Sequence, residues 1–297
     1  MQVTRGTLNT LFVAFNAAFR QGLGQAPTQY ERIATVVPST TKSNEYGWLG
    51  KIPGMREWIG DRVVHGLATH GYTIKNKPFE LTVGVDRDDI DDDNVGIYTP
   101  MMTNMGESVA AQPDELSFGL LKAGISTACY DGQNFFDTDH PVVDGTGKTV
   151  TQSNVDSGGN GSYWYLLSTK RALKPLIFQN RKDPNFVSMD TETDEAVFSR
   201  KAFRYGVDAR RNVGFGFWQM AYASNKELTA ENLQAAYTVF TERTGDHGRP
   251  LGLVPDLLVV RPNLKFKAAA ILTANQINGT DNIMKGIVEP LDSPWVI

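Results

Sequence analysis

One cysteine, Cys129, in 297 residues excludes any disulfide within the chain. Four scattered histidines, His65, His70, His140 and His247, do not combine with it into a conventional structural zinc site. Such a chain fits a reducing compartment. No stretch approaches the roughly 20 apolar residues of a membrane helix, and Met1 to Arg5 is not followed by the apolar core of a signal peptide. Both absences point to the cytoplasm and away from a membrane. Positive charge is not in excess: 29 Lys and Arg against 33 Asp and Glu leave a net charge of −4, with no global attraction for nucleic acid. If DNA is near, the protein touches it lightly. Catalytic signatures are also missing, since there is no Gly-x-Ser-x-Gly elbow, no Walker loop and no Gly-x-Gly-x-x-Gly opening a βαβ unit. Cys129 has no positioned histidine to make it a nucleophile, so it reads as a buried structural residue.

What is present first draws the eye between residues 47 and 80. Gly47-Trp48-Leu49-Gly50-Lys51-Ile52-Pro53 runs through Trp58 into Thr73-Ile74-Lys75-Asn76-Lys77-Pro78-Phe79-Glu80. Large rings flanked by Gly and Pro on a long connection suggest a surface awaiting a partner, because a monomer gains nothing by exposing them. Tyr72 and Ile74, then Phe79, Leu81 and Val83, alternate like strands about a turn-prone Lys75-Asn76-Lys77-Pro78, which predicts a long hairpin-like loop.

Around this segment the periodicities are mixed. Leu8, Phe12, Phe15 and Phe19 recur at helical spacing, with Gly22 and Gly24 as the expected stop. Before Glu31 this arm carries Arg5 and Arg20 but no acid, which fits an acidic surface, DNA, or a plain core helix with solvated arginines. Ile33, Val36 and Val37 read as extended chain. The acidic run Asp86 to Asn94 fails as a calcium loop: counted from Asp89, Asn94 stands where glycine belongs and Pro100 where glutamate belongs. Its carboxylates suit a helix start better, with a loosely held magnesium as the other reading. Tyr98, Met101, Met102, Met105 and Val109 continue as a helix, and Pro113 with Asp114 and Glu115 is expected to open a second helical piece ending at Gly124.

Beyond Cys129 the texture is loop-like, with a Gly, Ser and Asn cluster between Asp144 and Gly161. Strands are predicted over Trp164–Leu167, Leu176–Phe178, Ala196–Tyr205 and Val213–Ala223, the last with a bare face at Gly214 and Gly216 against which a backbone can pack. A C-terminal α/β unit follows: Thr229 caps a helix with Leu233, Ala236, Tyr237 and Phe240, then come strand Leu257–Val260 and a helix after Pro262. Asp137, Asp139 and His140 could supply two carboxylates and an imidazole to a metal-dependent hydrolase, against which stands an ordinary turn. No repeat and no clean linker is visible.

Several strings, taken in order, resemble the major head subunit family of Mu-like phages and prophages. They are Gly47-Trp48-Leu49-Gly50-Lys51, Glu57-Trp58-Ile59-Gly60, His70-Gly71-Tyr72, Arg87-Asp88-Asp89, Tyr130-Asp131-Gly132-Gln133-Asn134-Phe135-Phe136, Lys174 to Gln179, Tyr205 to Arg210 and Gly248-Arg249-Pro250-Leu251-Gly252. The likeness runs from the N-terminal arm to Trp295. It implies an α+β chain of the Hong Kong 97-type capsid fold: an N-terminal arm over 1–35, an extended loop over 36–85, a peripheral domain with a spine helix over 86–225, and an axial domain with the C-terminal segment over 226–297. It also implies a structural protein without catalysis, metal or cofactor, self-assembling as hexamers and pentamers into an icosahedral shell around the double-stranded DNA of a tailed phage. The implied place is the virion, with assembly in the bacterial cytoplasm. Implied partners are a scaffold protein, a portal, a decoration protein, and DNA held non-specifically on the inner face. Intersubunit contacts are expected at Trp48, Arg56, Trp58, Arg62, Lys75, Lys77 and Phe79. Covalent joining through Lys75 or Lys77 is not expected, since it also needs a buried carboxylate as base. An encapsulin-like compartment is the rival within the same fold.

Overall fold

The computed structural model describes residues 3–47, 49, 71–92, 94–191, 194–277 and 279–296. Helix α1 (Arg5–Gln25) is capped by Thr4, whose hydroxyl accepts from Thr7 N. It buries Leu8, Phe15 and Phe19 as the helical spacing predicts, but Leu11 is buried as well and the expected Phe12 is only half-buried. The stripe lies on the chain's own sheet: Phe15 meets Tyr205 edge-on at 5.0 Å, and Phe19 stacks on Phe186 at 5.2 Å. The expected stop at Gly22 and Gly24 is not there, because α1 runs through both. A Cβ on Gly22 would sit 1.9 Å from the Thr103 carbonyl oxygen, and one on Gly106 would sit 2.1 Å from the Phe19 carbonyl oxygen. These glycines are where two helices touch backbone to backbone.

The chain continues through α2 (Tyr30–Ile33), β1 (Ala34–Pro38), β2 (Ser43–Glu45), β3 (Thr73–Lys75), β4 (Lys77–Asp86), α3 (Arg87–Asp91) and α4 (Tyr98–Ala123). The acidic run does start a helix, with the Asp86 side chain accepting from Asp88 N at 2.9 Å, but that helix is the short α3. The long α4 begins afresh at Tyr98, whose hydroxyl donates to Asp89. Pro113 does not open a new helix but lies inside α4. Lacking an N–H, it leaves the Val109 carbonyl without its partner one turn on, and Nη2 of Arg211 fills the vacancy at 3.1 Å. Asp114 reaches sideways to accept from the Gln29 and Tyr30 backbone amides, so it caps α2. Burial raises its carboxyl above the ordinary value, while those two bonds pull it back down.

The remainder comprises β5 (His140–Val143), β6 (Thr149–Gln152), β7 (Val155–Asp156), β8 (Trp164–Leu167), β9 (Leu176–Met189), α5 (Glu195–Arg200), β10 (Ala202–Phe215), β11 (Ala221–Ser224), α6 (Ala230–Thr241), β12 (Leu257–Val260), α7 (Lys265–Leu272), β13 (Gln276–Ile277), β14 (Thr280–Asp281) and β15 (Glu289–Asp292). The strand expected over Ala196–Tyr205 is therefore half helix. Thr229 caps α6 as expected, accepting from Asn232 N.

Two sheets carry the architecture. One has the order β1-β9-β10-β4 and holds α1 and α4 over a core that includes Phe15, Met102, Met105, Phe186 and Tyr205. The other has the order β15-β12-β8-β11-β7 and packs with α6 and α7. Lys77–Asp86 pairs along its length with β10, so Lys75-Asn76-Lys77-Pro78 is a break between strands that join different partners, not a hairpin turn. The second sheet draws β7, β8 and β11 from residues 155–224, so neither 85 nor 225 is a boundary between sheets.

Candidate functional site

The root of the long connection is built from residues remote in sequence. Strands β2 and β3 run antiparallel, with Asn44 opposite Ile74, and hold Glu45 beside Thr73. Ile74 is buried against Gly214, whose missing side chain makes the space: a Cβ there would lie 2.2 Å from Ile74 Cδ1. The bare face expected at Gly214 thus takes a side chain, while the expected backbone approach comes at Gly216, where a Cβ would lie 2.7 Å from the Lys174 carbonyl oxygen. Tyr72 accepts from Phe215 N through its hydroxyl at 2.8 Å. Below Ile74 lies a buried polar net. Gln179 Nε2 donates to the Ile74 carbonyl and to Asn76 Oδ1, Tyr46 donates to Gln179 Oε1, and Asn76 Nδ2 donates to Ser39 Oγ and the Thr41 carbonyl. Gln179 and Asn76 are fully enclosed and fully engaged, so the root has one geometry.

Lys75 and Lys77 flank Asn76 and are both exposed, while Phe79 is half-buried on β4. Trp48, Arg56, Trp58 and Arg62 lie outside the described residues. A cavity of about 160 Å³ opens beside Phe79, between β4 and α4, with Arg211 among its lining residues.

The structure does not assemble Asp137, Asp139 and His140 into a metal site. Asp137 folds into a turn, accepting from Asn134 N and Thr138 N, and Asp139 is exposed. His140 points inward, with Nδ1 2.7 Å from Asp131 and Nε2 3.2 Å from Asn154 Oδ1. Asn154 Nδ2 donates to the Phe135 and Trp218 carbonyls, which fixes its Oδ1 as an acceptor. Both imidazole nitrogens thus face acceptors. The ring stacks on Trp218 at 4.0 Å and 7°, and Arg243 lies 5.7 Å from the centre of the same indole.

Burial pushes the Asp131 carboxyl up, but hydrogen bonds from His140 and Cys129 and the nearby imidazole outweigh it, leaving the group below its ordinary value. Burial and the neighbouring Asp131 drive the Cys129 thiol well above its usual range, and the thiol donates to Asp131. Cys129, Asp131 and His140 have ligand atoms within 4.8 Å of one another, yet a metal would need the thiolate that this setting opposes. The arrangement ties the segment after α4 to the core. Arg243 is similarly structural, donating to the Gln219 and Ala221 carbonyls, with burial lowering it to about 9.

Comparison with known proteins follows the same lines. The family model of the Mu-like prophage major head subunit gpT matches residues 8–296. The Mu-like prophage FluMu major head subunit of Haemophilus influenzae is 48% identical over 287 residues, covering 95% of this chain and 93% of that protein. The major capsid protein of Escherichia phage Mu is 46% identical over 295 residues, covering 96% and 97%. Among solved structures, a subunit of the bacteriophage JBD30 procapsid superposes with a TM-score of 0.87 at 50% identity, covering 99% of this chain and 100% of that one. A subunit of the JBD30 capsid decorated with minor capsid protein trimers superposes at 0.78 with 36% identity over 93% of each chain.

Proposed function

The chain belongs to the Mu-like prophage major head subunit family, and from that premise we infer the assembly it takes part in. It is a major head protein of the Hong Kong 97-type fold, a component of the virion, and not an enzyme. Copies associate as hexamers and pentamers and close into an icosahedral shell around double-stranded DNA, with a scaffold protein guiding assembly, a portal at one vertex, and decoration by a second protein as on the JBD30 capsid. The observation that carries this reading is the superposition of 99% of the chain on a procapsid subunit. The pinned root supports it: beyond β2 the chain is still anchored in the core by Tyr46 and Leu49, and Tyr72 packs against the same core where the connection returns. We assign the β1-β9-β10-β4 sheet with α1 and α4 to the peripheral part of the subunit, and the β15-β12-β8-β11-β7 sheet with α6 and α7 to the axial part. The net charge of −4 suits an inner wall that does not grip phosphate during packaging and release.

Coexpression with the scaffold protein, followed by sedimentation and negative-stain microscopy, should yield capsomers and shells. A sharp monomer peak under these conditions overturns the assembly reading. The loop contacts are tested by a Trp48→Ala/Trp58→Ala double variant. A large ring lost from an assembled interface costs about 2 kcal/mol or more, and a symmetric shell repeats the loss at every copy. Native-like melting with particle yield strongly reduced is the expected result; a variant that fails to fold would assign both rings to the subunit's own core.

A further inference from the structure

Arg211 has more to offer than its bond to Val109. Strand β10 alternates inward at Phe203, Tyr205, Val207 and Ala209, and the next inward position is this arginine, 5% exposed. Its Nη2 repairs the gap left by Pro113, but its buried Nε N–H meets no acceptor. No carboxylate among the described residues lies within ion-pair distance; Asp183 and Tyr30 act on it only at longer range. A buried, uncompensated guanidinium is costly unless some group satisfies it.

The same arginine lines the 160 Å³ cavity together with Leu81, Val109, Val207 and Ala209, and the exposed Glu115 is also among its lining residues; the Glu80 carboxylate lies on the other face of β4, where it accepts from Thr82. The volume is below that of a typical small-molecule site and suits a single side chain. Apolar walls with a cation inside call for an oxygen-bearing head on an aliphatic stem. Glu115 at the mouth repels an isolated anion, so the arriving group needs a basic neighbour on its own segment. A protein segment with an acid next to a base meets both demands, and this acidic chain offers many such pairs, with neighbours supplied at high local concentration in a shell.

We propose that this cavity is a docking site for a second copy of the chain: an Asp or Glu side chain of the neighbour enters it and pairs with Arg211, while an adjacent Lys or Arg faces Glu115. The proposal rests on the head-protein reading. It also gives Phe79, at the edge of the cavity, a contact role.

The test uses the full chain with its scaffold protein, wild type in parallel. Ser108→Trp and Gln112→Trp each lay a ring over the mouth from successive turns of α4, leaving the Arg211–Val109 bond in place; Glu115→Lys reverses the charge of the mouth. All three should melt within about 2 °C of wild type before assembly and lose particle yield by about tenfold or more. Wild-type yield from both tryptophan variants means that the cavity stays empty or takes the chain's own Glu115; it overturns the docking site and leaves the head-protein reading intact. Failure of wild type itself to form particles sinks both. Should either tryptophan variant melt low, the charge-reversal variant decides, and an undiminished yield from it overturns the proposal.

Discussion

Replacing Gly106 by valine is expected to prevent α1 from docking and to leave little soluble subunit. The first added carbon alone would stand 2.1 Å from the Phe19 carbonyl oxygen and 2.6 Å from Leu23 N, and both obstacles are backbone. No rotamer change relieves such a clash, so the helices must separate. Overpacking costs about 1–3 kcal/mol before the loss of burial around Leu8, Leu11, Phe15 and Phe19 is added, against a total stability of about 5–15 kcal/mol. Gly106→Ala should melt several degrees lower, at about 2 °C or more for each kcal/mol lost. The control is Gly119→Ala on the same helix, where a Cβ meets nothing within 4 Å. It should be neutral or stabilising by up to about 1 kcal/mol. Equal melting of Gly106→Val and wild type would remove the helix contact from the account.

Asp131→Asn should be the next most damaging single change. It keeps the shape but removes the charge that answers His140 in a site where the imidazole is completely buried and Asp131 nearly so. Taking the charged acceptor from the buried donors of His140 and Cys129 costs on the order of 1–3 kcal/mol, because those donors are left without an equal partner. The pH dependence gives a second reading of the same site. Asp131 sits below its ordinary value of 3.8 in the folded chain, so its contribution is complete above that value and is lost as pH falls through the folded one. The difference in melting midpoint between wild type and Asp131→Asn should therefore hold steady at neutral and mildly acidic pH, then narrow as pH drops below about 4. A gap that stays constant under acid would assign the cost to packing and not to charge.

Elements with a strong period were legible from residues alone: the α1 stripe, the α6 face and the strand Leu257–Val260. So was the bare strand face at Gly214. Gly22 and Pro113 misled for one reason, since both residues have a local meaning, as stop or start of a helix, which a non-local contact overrides. Gly22 remains helical because Thr103 fills the space, and Pro113 is tolerated because Arg211 supplies the missing donor. Strand partnership was not legible, as β1 pairs with β9 and β8 with β12 across long stretches of chain. His140 was singled out with Asp137 and Asp139 because they are adjacent in sequence; its partners Asp131 and Asn154 lie on the far sides of two turns. The expected contact residues divide in a similar way: Lys75 and Lys77 emerge at the surface beside a buried asparagine whose importance no pattern announces.

That asparagine and Gln179 also determine how the subunit bears load. β2 and β3 are joined to the connection at neighbouring ends, so tension on it pulls both strands together and is resisted by the bonds that tie them to the body. From there force passes through Gln179 into β9 and through Asn212, which donates to the Lys75 carbonyl, into β10. These are two 14-residue strands paired with each other, the longest among the described residues. In the shell we propose, each copy would hang from these two strands, and indentation by a force probe should find particles carrying Gln179→Leu yielding at lower load than wild type; equal yield loads would show that the strain is borne elsewhere.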